Sequence, residues 1–193
     1  MMKPWQVVPD AEKGPGLTSR TNEELVLAAL RGDVDSFISL CHRYYPAMVA
    51  TAQAILGDHQ LSEDAAQEAL AKACRSLDSL KSPARFGAWL TAICRNEAKD
   101  TLRRNPRTES LGDRDVAEAV PQQNPDIDAV QEAMHRLPAE SRELLYLRYR
   151  NGLSYQAISD LLGVSQQAVQ GRLWRAKEAV REQVERHRER RLS

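Results

Sequence analysis

The sequence of 193 residues has few of the features that mark disulfide-rich, metal-binding or membrane proteins. Its three cysteines, Cys41, Cys74 and Cys94, lie far apart and form no CxxC pair. This odd number without paired spacing predicts no disulfide framework and no zinc site, and it favours reduced thiols. No apolar run approaches the about 18 residues of a membrane span, and the first residues lack a signal-peptide core. We therefore expect a cytoplasmic protein without membrane insertion.

Patterns typical of enzymes are also missing. A nucleic-acid enzyme such as a recombinase needs a nucleophile or a cluster of carboxylates, and other enzymes carry a metal-ligand spacing or a phosphate-cradling glycine loop. The sequence shows none of these patterns. We expect no enzyme, no catalytic residue, no metal and no cofactor.

Charge is present in equal amounts of both signs but is unevenly distributed. The 27 Lys and Arg residues cancel the 27 Asp and Glu residues, so the net charge indicates no nucleic-acid partner. From residue 165 to the end, however, eight basic residues stand against four acidic ones. Between residues 105 and 128 the acidic residues are in excess. A basic end behind an acidic middle suggests separate roles for the two segments.

Apolar residues recur at helical spacing along most of the chain, with almost no alternation of the kind that marks strands. We predict an all-α protein of two small helical domains joined by a flexible acidic linker. Proline and glycine break up the start of the chain and proline recurs in the linker, which sets the boundaries. The predicted segments are an extension at 1–20, a first domain at 21–104, the linker at 105–126, and a second domain with a basic tail at 127–193.

One helix of the first domain can be predicted in more detail. Ser62 is a good N-cap, and acidic residues follow it in the first turn. Cys74 falls on the apolar stripe of this helix, together with several alanines. We therefore expect a helix that begins at Ser62 and buries Cys74.

The stretch SYQAISDLLGVSQQAVQGRLWRAKEAV predicts a helix-turn-helix. Gly163 supplies the turn, since glycine enters a left-handed conformation without steric cost, and Ser165 can cap the second helix. The inward positions of the turn and the second helix are Val164, Val169, Leu173, Ala176 and Val180. The outward positions are Gln166, Gln167, Gln170, Arg172, Arg175 and Lys177. Such amides and arginines suit base edges and phosphates, although an ordinary helical hairpin with a solvated face has the same pattern.

Two stretches, about 33–104 and about 133–182, resemble the two conserved domains of the extracytoplasmic-function class of bacterial sigma factors. Members of that class join core RNA polymerase, direct it to promoters and help to melt the DNA. DAAQEALAKACRSLD is similar to the helix that binds the coiled-coil of the polymerase β′ subunit. FGAWLTAICRNEAKDTLRR is similar to the segment for the −10 element, and the stretch from LPAESRELL to WRAKEAV is similar to the −35-reading domain.

The resemblance implies three sets of contact residues. The polymerase contacts would be Asp64, Gln67 and Glu68. The −10 contacts, in a loop that captures a flipped base and in the helix after it, would be Ser79, Lys81, Ser82, Arg85, Arg95, Asn96, Lys99, Arg103 and Arg104. The −35 contacts would be Ser165, Gln166, Gln167, Gln170, Arg172, Arg175 and Lys177. Phe86 and Trp89 would support the loop from the core.

The sequence also departs from the family. Cys74 stands where the family often has a large aromatic residue, and Gln170 and Gly171 replace the usual basic and hydroxyl residues of the recognition helix. The implied partners are promoter DNA and core RNA polymerase, through its β′ coiled-coil and its β flap. The regulator is left open between an anti-sigma factor, the basic C-terminal tail, phosphorylation and none.

The alternative is a stand-alone helix-turn-helix transcriptional regulator whose N-terminal domain dimerises or senses a ligand. Such a regulator would bind duplex DNA without polymerase, typically at a two-fold symmetric site.

Overall fold

Side-chain caps and glycines with positive φ delimit several helices of this protein. The computed structural model describes residues 20–105 and 125–192, so residues 1–19 of the predicted extension and most of the predicted linker lie outside the described residues. Within those ranges every regular element is helical and no strand occurs. The prediction of an all-α fold is confirmed. None of the described helices combines the length and apolarity needed to cross a membrane.

The first helical block holds four α-helices. Thr21 starts the first with a reciprocal capping box to Glu24, and Asp33 and Asp58 cap the next two. The helices are α1 (Asn22–Leu30), α2 (Val34–Leu56), α3 (His59–Arg75) and α4 (Phe86–Arg104), and two 3-10 turns, Leu77–Ser79 and Pro83–Arg85, lie between α3 and α4.

The second helical block contains the predicted helix-turn-helix. Its helices are α5 (Pro125–Arg136), α6 (Ala139–Leu145), α7 (Tyr155–Leu162) and α8 (Gln166–Leu192), and a π-helical turn, Tyr146–Arg150, continues α6. Ser154 caps α7 by accepting a hydrogen bond from the Ala157 amide at 3.1 Å.

The expected start of α3 at Ser62 is wrong. Gly57 ends α2 in the left-handed region at φ 72°, and Asp58 follows in an extended conformation. Its carboxylate accepts a hydrogen bond from the Leu61 amide at 2.8 Å, so α3 begins one turn earlier. Ser62 is buried inside the helix and its hydroxyl donates to the Asp58 carbonyl.

The expected burial of Cys74 is also wrong. On α3 the buried residues are Ser62, Ala65, Ala66, Ala69 and Ala73, and Cys74 is exposed beyond them. The helix packs against its neighbours through a narrow row of small residues. The buried face is therefore narrower than the apolar stripe that the sequence pattern suggests, and Cys74 falls outside it. All three cysteines are free thiols.

Phe86 anchors the start of α4 in the core of the first block. It is 1% exposed, and its ring lies 5.2 Å from that of Tyr44 in an edge-to-face arrangement. Trp89 is half-buried, 5.8 Å from Phe86, and packs against the same core. Both residues therefore have the supporting positions that the sequence predicts.

The two helical blocks are in direct contact. One cluster of buried apolar residues runs from α1 of the first block to α8 of the second. At Gly87 on α4, an added Cβ would lie 3.6 Å from the Leu161 Cα, and at Gly163 it would lie 3.4 Å from the Ala88 Cβ. The N-terminal end of α4 therefore packs closely on the end of α7.

Replacing Gly171 by alanine should stabilise α8. An added Cβ at this exposed helical position meets no atom within 4 Å, and glycine weakens a helix by about 0.5–1 kcal/mol relative to alanine. We expect the free energy of unfolding of G171A to rise by that amount. Chemical denaturation followed by circular dichroism measures it.

G163A is the matched control. Gly163 has φ 67°, a conformation that costs alanine about 1–2 kcal/mol. The same substitution should therefore lower the free energy of unfolding. An equal effect of the two substitutions would contradict the assigned roles of the two glycines.

Candidate functional site

The turn between α7 and α8 has the geometry of a helix-turn-helix. Gly163 adopts the left-handed conformation, and the Ser159 hydroxyl donates to the Val164 carbonyl at 2.5 Å. The Ser165 hydroxyl accepts a hydrogen bond from the Ala168 amide at 3.2 Å and so caps α8. The predicted turn and cap are both confirmed. They set the direction in which α8 leaves the block.

The polar face of α8 is exposed as the sequence predicts. Val169, Leu173 and Ala176 are at most 3% exposed and hold the helix on the block. The exposed residues are Ser165, Gln166, Gln167, Gln170, Arg172, Arg175 and Lys177. The Gln166 amide donates to the Gln156 side chain on α7, which links the ends of the two helices. Four amide or hydroxyl side chains and three cations thus project from one accessible helix.

Trp174 is a candidate contact that the sequence reasoning missed. It is 68% exposed and lies between Arg172 and Arg175 on α8. Its position one residue beyond the inward Leu173 is the signal that could have identified it. An indole on this surface offers a flat apolar face beside the amides and cations. Nearby, the Lys177 ammonium lies 6.0 Å from the ring centroid of Tyr149, which is 59% exposed.

The segment before α4 places several candidate residues on a short, anchored loop. Lys81 and Arg85 are exposed, and Ser82 is half-buried. Ser79 is exposed and its hydroxyl donates to the Ser76 carbonyl at 2.7 Å. Leu80 within the loop and Phe86 just after it are buried, and they fix the loop to the core. The polar groups therefore stand on a defined frame.

On α4 most of the candidate residues share the accessible side of the helix. Asn96, Lys99 and Arg103 are exposed and follow one another at spacings of three and four. Arg103 pairs with Asp100, and Arg104 lies 3.1 Å from the Glu97 carboxylate. Glu97 is buried and also pairs with Lys72 on α3. This buried acid ties the end of α4 to α3.

Arg95 is not brought together with these residues. Its guanidinium lies 2.7 Å from the Glu143 carboxylate on α6, at the contact between the blocks. The structure therefore divides the predicted −10 residues into an accessible group and one residue held between the blocks.

The third candidate set lies on α3. Asp64 and Glu68 are exposed and Gln67 is half-buried, and their spacing puts them on one face. Glu68 pairs with Arg75 at 2.9 Å, and Asp64 accepts a hydrogen bond from Gln60 at 3.4 Å. Burial raises the pKa of the neighbouring Tyr45 hydroxyl, and its contact with Gln67 opposes that shift. The result is an accessible acidic and amide face on α3.

The described residues also include metal-ligating side chains and thiols, the groups that a metal or catalytic centre would need. No group of three or more His, Cys, Asp and Glu residues there could hold a metal ion. Burial raises the pKa of Cys41 to about 11 and that of Cys94 to about 12, so these thiols are not activated nucleophiles.

Two family matches cover both blocks in order. Residues 40–108 match Sigma-70 region 2, and residues 127–180 match Sigma-70 region 4. The exposed α3 face, the loop and α4 fall in the first match. The helix-turn-helix falls in the second.

Individual proteins show the same likeness. The chain is 40% identical over 149 residues to the "Probable RNA polymerase sigma factor RfaY" of Xanthomonas campestris. The alignment covers 71% of this chain but only 37% of that protein's length. It is 31% identical to the ECF RNA polymerase sigma factor SigM of Mycobacterium tuberculosis, over 84% of each chain. Among solved structures, it is 28% identical to the sigma factor RpoE of Bartonella quintana in complex with the anti-sigma factor NepR, with a TM-score of 0.52 over 79% of this chain and 98% of that one.

The resemblance read from the sequence is thus confirmed by matches to both conserved regions and by a relative aligned along most of its length. The chain belongs to the extracytoplasmic-function sigma factors, which are transcription initiation factors of RNA polymerase.

Proposed function

We propose that this sigma factor divides its work between the two helical blocks, with residues 21–104 acting on polymerase and the −10 region and residues 127–193 acting on the −35 region. The observation that carries the proposal is the order of the accessible surfaces. An acidic and amide face on α3 comes first, a basic surface around α4 follows, and an amide and arginine surface on α8 comes last. The acidic linker at 105–126 would connect them.

The α3 face is the proposed contact with core polymerase. Asp64, Gln67 and Glu68 offer carboxylate and amide groups on a rigid helix, which suits a basic and polar partner such as the β′ coiled-coil. The second block would dock on the β flap. Because each contact alone is modest, two contacts on one chain raise the effective concentration of the second.

The loop before α4 is the proposed site for a base flipped out of the −10 element. Extruding a base costs a few kcal/mol of lost stacking, so the pocket must be held rigidly. Phe86 and Leu80 provide that anchor at the core. The exposed cations Lys81, Arg85 and Lys99 would neutralise phosphates beside it.

The outward face of α8 is the proposed reader of the −35 duplex. Glutamine side chains can donate to and accept from base edges in the major groove, and Arg172 and Arg175 can contact guanines or phosphates. Trp174 would add apolar contact with thymine methyl groups or sugars. Gln170 and Gly171 give this helix an amide and a bare backbone where the family has a cation and a hydroxyl, which would alter its promoter preference.

A protein of the anti-sigma class is a further proposed partner. The similar sigma factor of Bartonella quintana was solved with the anti-sigma factor NepR. Such a partner could cover the polymerase face, the DNA face or both.

The division of work predicts separable defects. D64A/Q67A should weaken binding to core polymerase by about tenfold or more, since truncating one partner of a hydrogen-bonded charge pair leaves the opposing group unpaired. R172A/R175A should leave core binding intact. Both variants should reduce promoter-directed transcription with core polymerase, measured as run-off product.

E23A is a suitable control for core binding. Glu23 is an exposed acid in the first turn of α1, so its removal changes the charge equally without touching the α3 face. If D64A/Q67A bound core polymerase as tightly as E23A, the α3 contact would be ruled out. If the chain bound a promoter unaided at a two-fold site and never bound core polymerase, the stand-alone regulator would be the better description.

The −35 surface predicts different salt dependences for Arg and Trp variants. The plot of log K against log salt has a negative slope, and each lost phosphate contact makes it less steep by about 0.9. R172A/R175A should therefore reduce its magnitude by up to about 2. W174A should weaken binding by several fold with no change in slope, because an indole releases no counterion. Titration of a −35 duplex by the chain bound to core polymerase, at several salt concentrations, measures both quantities.

R181A/R186A is the matched control for the double arginine variant. These arginines lie further along the same helix and pair with Glu178 and Glu182. An equal drop in slope for the control would show that α8 contributes only diffuse positive charge.

A further inference from the structure

Two of the three cysteines lie where α2 packs against α3. Cys41 is half-buried on α2, Cys74 is exposed near the end of α3, and both are free thiols. The third cysteine, Cys94, is fully buried, and its thiol donates to the Met48 carbonyl at 3.3 Å. Cys94 is therefore held within the core, and the other two thiols lie nearer the surface.

The connection between α2 and α3 brings Cys41 and Cys74 to the same level. Only Gly57 and Asp58 separate the two helices, which pack against each other and therefore run antiparallel. Cys41 lies 16 residues before Gly57, and Cys74 lies 16 residues after Asp58. At a rise of 1.5 Å per residue, each cysteine is about 24 Å from the connection. The two residues thus lie opposite each other along the pair of helices.

A second contact shows which faces of the two helices meet. Tyr45 follows Cys41 by one turn and so shares its face of α2, and the Tyr45 hydroxyl contacts Gln67 on α3. Cys74 follows Gln67 by two turns and so shares its face of α3. The face of α2 that bears Cys41 is therefore turned towards the face of α3 that bears Cys74.

The Cys74 side chain is close enough to Cys41 to affect its ionisation. Burial is the larger cause that raises the pKa of Cys41 to about 11, and the Cys74 thiol adds to the shift. Cys74 is the one other titratable side chain that contributes to this shift among the described residues. An effect of this kind requires the two groups to be near each other.

The packing of α3 allows the close approach that a disulfide needs. Ala66, Ala69 and Ala73 are fully buried on α3, and small residues at a contact let helix axes approach to about 8 Å. The Cα atoms of a helix lie about 2.3 Å from its axis, so facing Cα atoms are then roughly 4 Å apart and those at the edge of the contact somewhat more. A disulfide forms when the Cα atoms are about 4.4–6.8 Å apart.

We propose that Cys41 and Cys74 are a peroxide-sensitive thiol pair that closes an intramolecular disulfide between α2 and α3. The exposed Cys74 reacts first: its sulfur attacks one oxygen of hydrogen peroxide, which gives a sulfenic acid and releases water. The Cys41 sulfur then attacks the Cys74 sulfur, and the sulfenic oxygen leaves as a second water. Overall, two thiols and one hydrogen peroxide give one disulfide and two waters, and a thiol reductant reverses the change.

The position of the thiol pair gives the bond a structural consequence. Cys74 shares its face of α3 with Gln67, and the Leu77–Ser79 turn begins three residues after it. The disulfide would therefore fasten the end of α3 to α2, beside the loop that leads to α4. Its formation requires neither polymerase nor DNA, so the inference goes beyond the proposed function and fails or stands apart from it.

Peroxide treatment of the purified full chain tests the thiol pair. Equimolar hydrogen peroxide should give a monomer in which Cys41 is linked to Cys74, identified by peptide mapping and mass spectrometry without reduction. C94A should form the same bond, because Cys94 is not a member of the pair. C74A should form none, and in C41A the Cys74 thiol should proceed to sulfinic acid or link two chains. Overoxidation of Cys74 or cross-linking of two chains as the main product of the wild type would overturn the proposal.

The rate of closure gives a second test. When Cys74 carries a thionitrobenzoate group, the Cys41 thiolate should expel that coloured group as the disulfide closes. Below a pKa of about 11, the thiolate fraction of Cys41 rises about tenfold for each pH unit. The release should therefore become about tenfold faster per unit between about pH 7 and about pH 9, and C41A should release none. A rate that does not change with pH would show that Cys41 is not the attacking thiol.

Thermal unfolding tests whether the bond fits the native contact. The disulfide closes a loop of about 34 residues and so restricts the unfolded chain more than the folded one. The melting temperature of the oxidised wild type should rise by about 5–10 °C and return on reduction. Peroxide-treated C74A, which controls for other oxidation, should show no rise. A bond that leaves the melting temperature unchanged or lowers it would overturn the proposed juxtaposition of Cys41 and Cys74.

Discussion

The free energy of a buried carboxylate governs how the two halves of this protein meet. Glu143 is surrounded by protein, and it is stable there because Thr51 and Arg95 supply one donor to each oxygen. Both donors come from the other helical block, so the acid is satisfied in only one relative placement of the blocks. The apolar contacts between α4 and α7 add area but little direction. The polar contact therefore selects the arrangement that the apolar contact stabilises.

The separation of an apolar face and a polar face on each helix creates the candidate binding surfaces. On α8, Val169, Leu173 and Ala176 are buried, and this leaves the glutamines and arginines on the opposite side. On α3 the alanine row is buried and the acidic and amide face remains accessible. Each surface is thus the outer side of a helix whose inner side holds the core. A rigid core therefore fixes the positions of these outward side chains.

Local features could be predicted from the residues because they depend on neighbours a few positions away. The left-handed Gly163, the Ser165 cap and the outward residues of α8 follow from turn chemistry and a period of 3.6 residues. The expected start of α3 and the expected burial of Cys74 were wrong, because more than one local arrangement was compatible with the sequence. Asp58 displaced Ser62 as the cap because Gly57 had already ended α2, and Cys74 remained outside because the buried row on α3 is narrow.

Family resemblance added a predicted order of the surfaces and the class of partners, and the matches to both regions confirm the family. It did not indicate that Arg95 would be separated from the other residues of its set. The Arg95 case depends on elements that are distant in the sequence. Trp174 was missed although its position one residue beyond the inward Leu173 indicates an outward side chain.

The amino-acid order thus specified the helices, the turn of the helix-turn-helix and the side of each helix that faces water, because those properties arise from interactions within one or two turns. The placement of the blocks arose from contacts between residues that are far apart in the sequence. Arg95 and Glu143 are separated by 48 positions, and Thr51 and Glu143 by 92. No periodic pattern encodes such pairs, since the desolvation of Glu143 and its two compensating hydrogen bonds exist only after α2, α4 and α6 have come together.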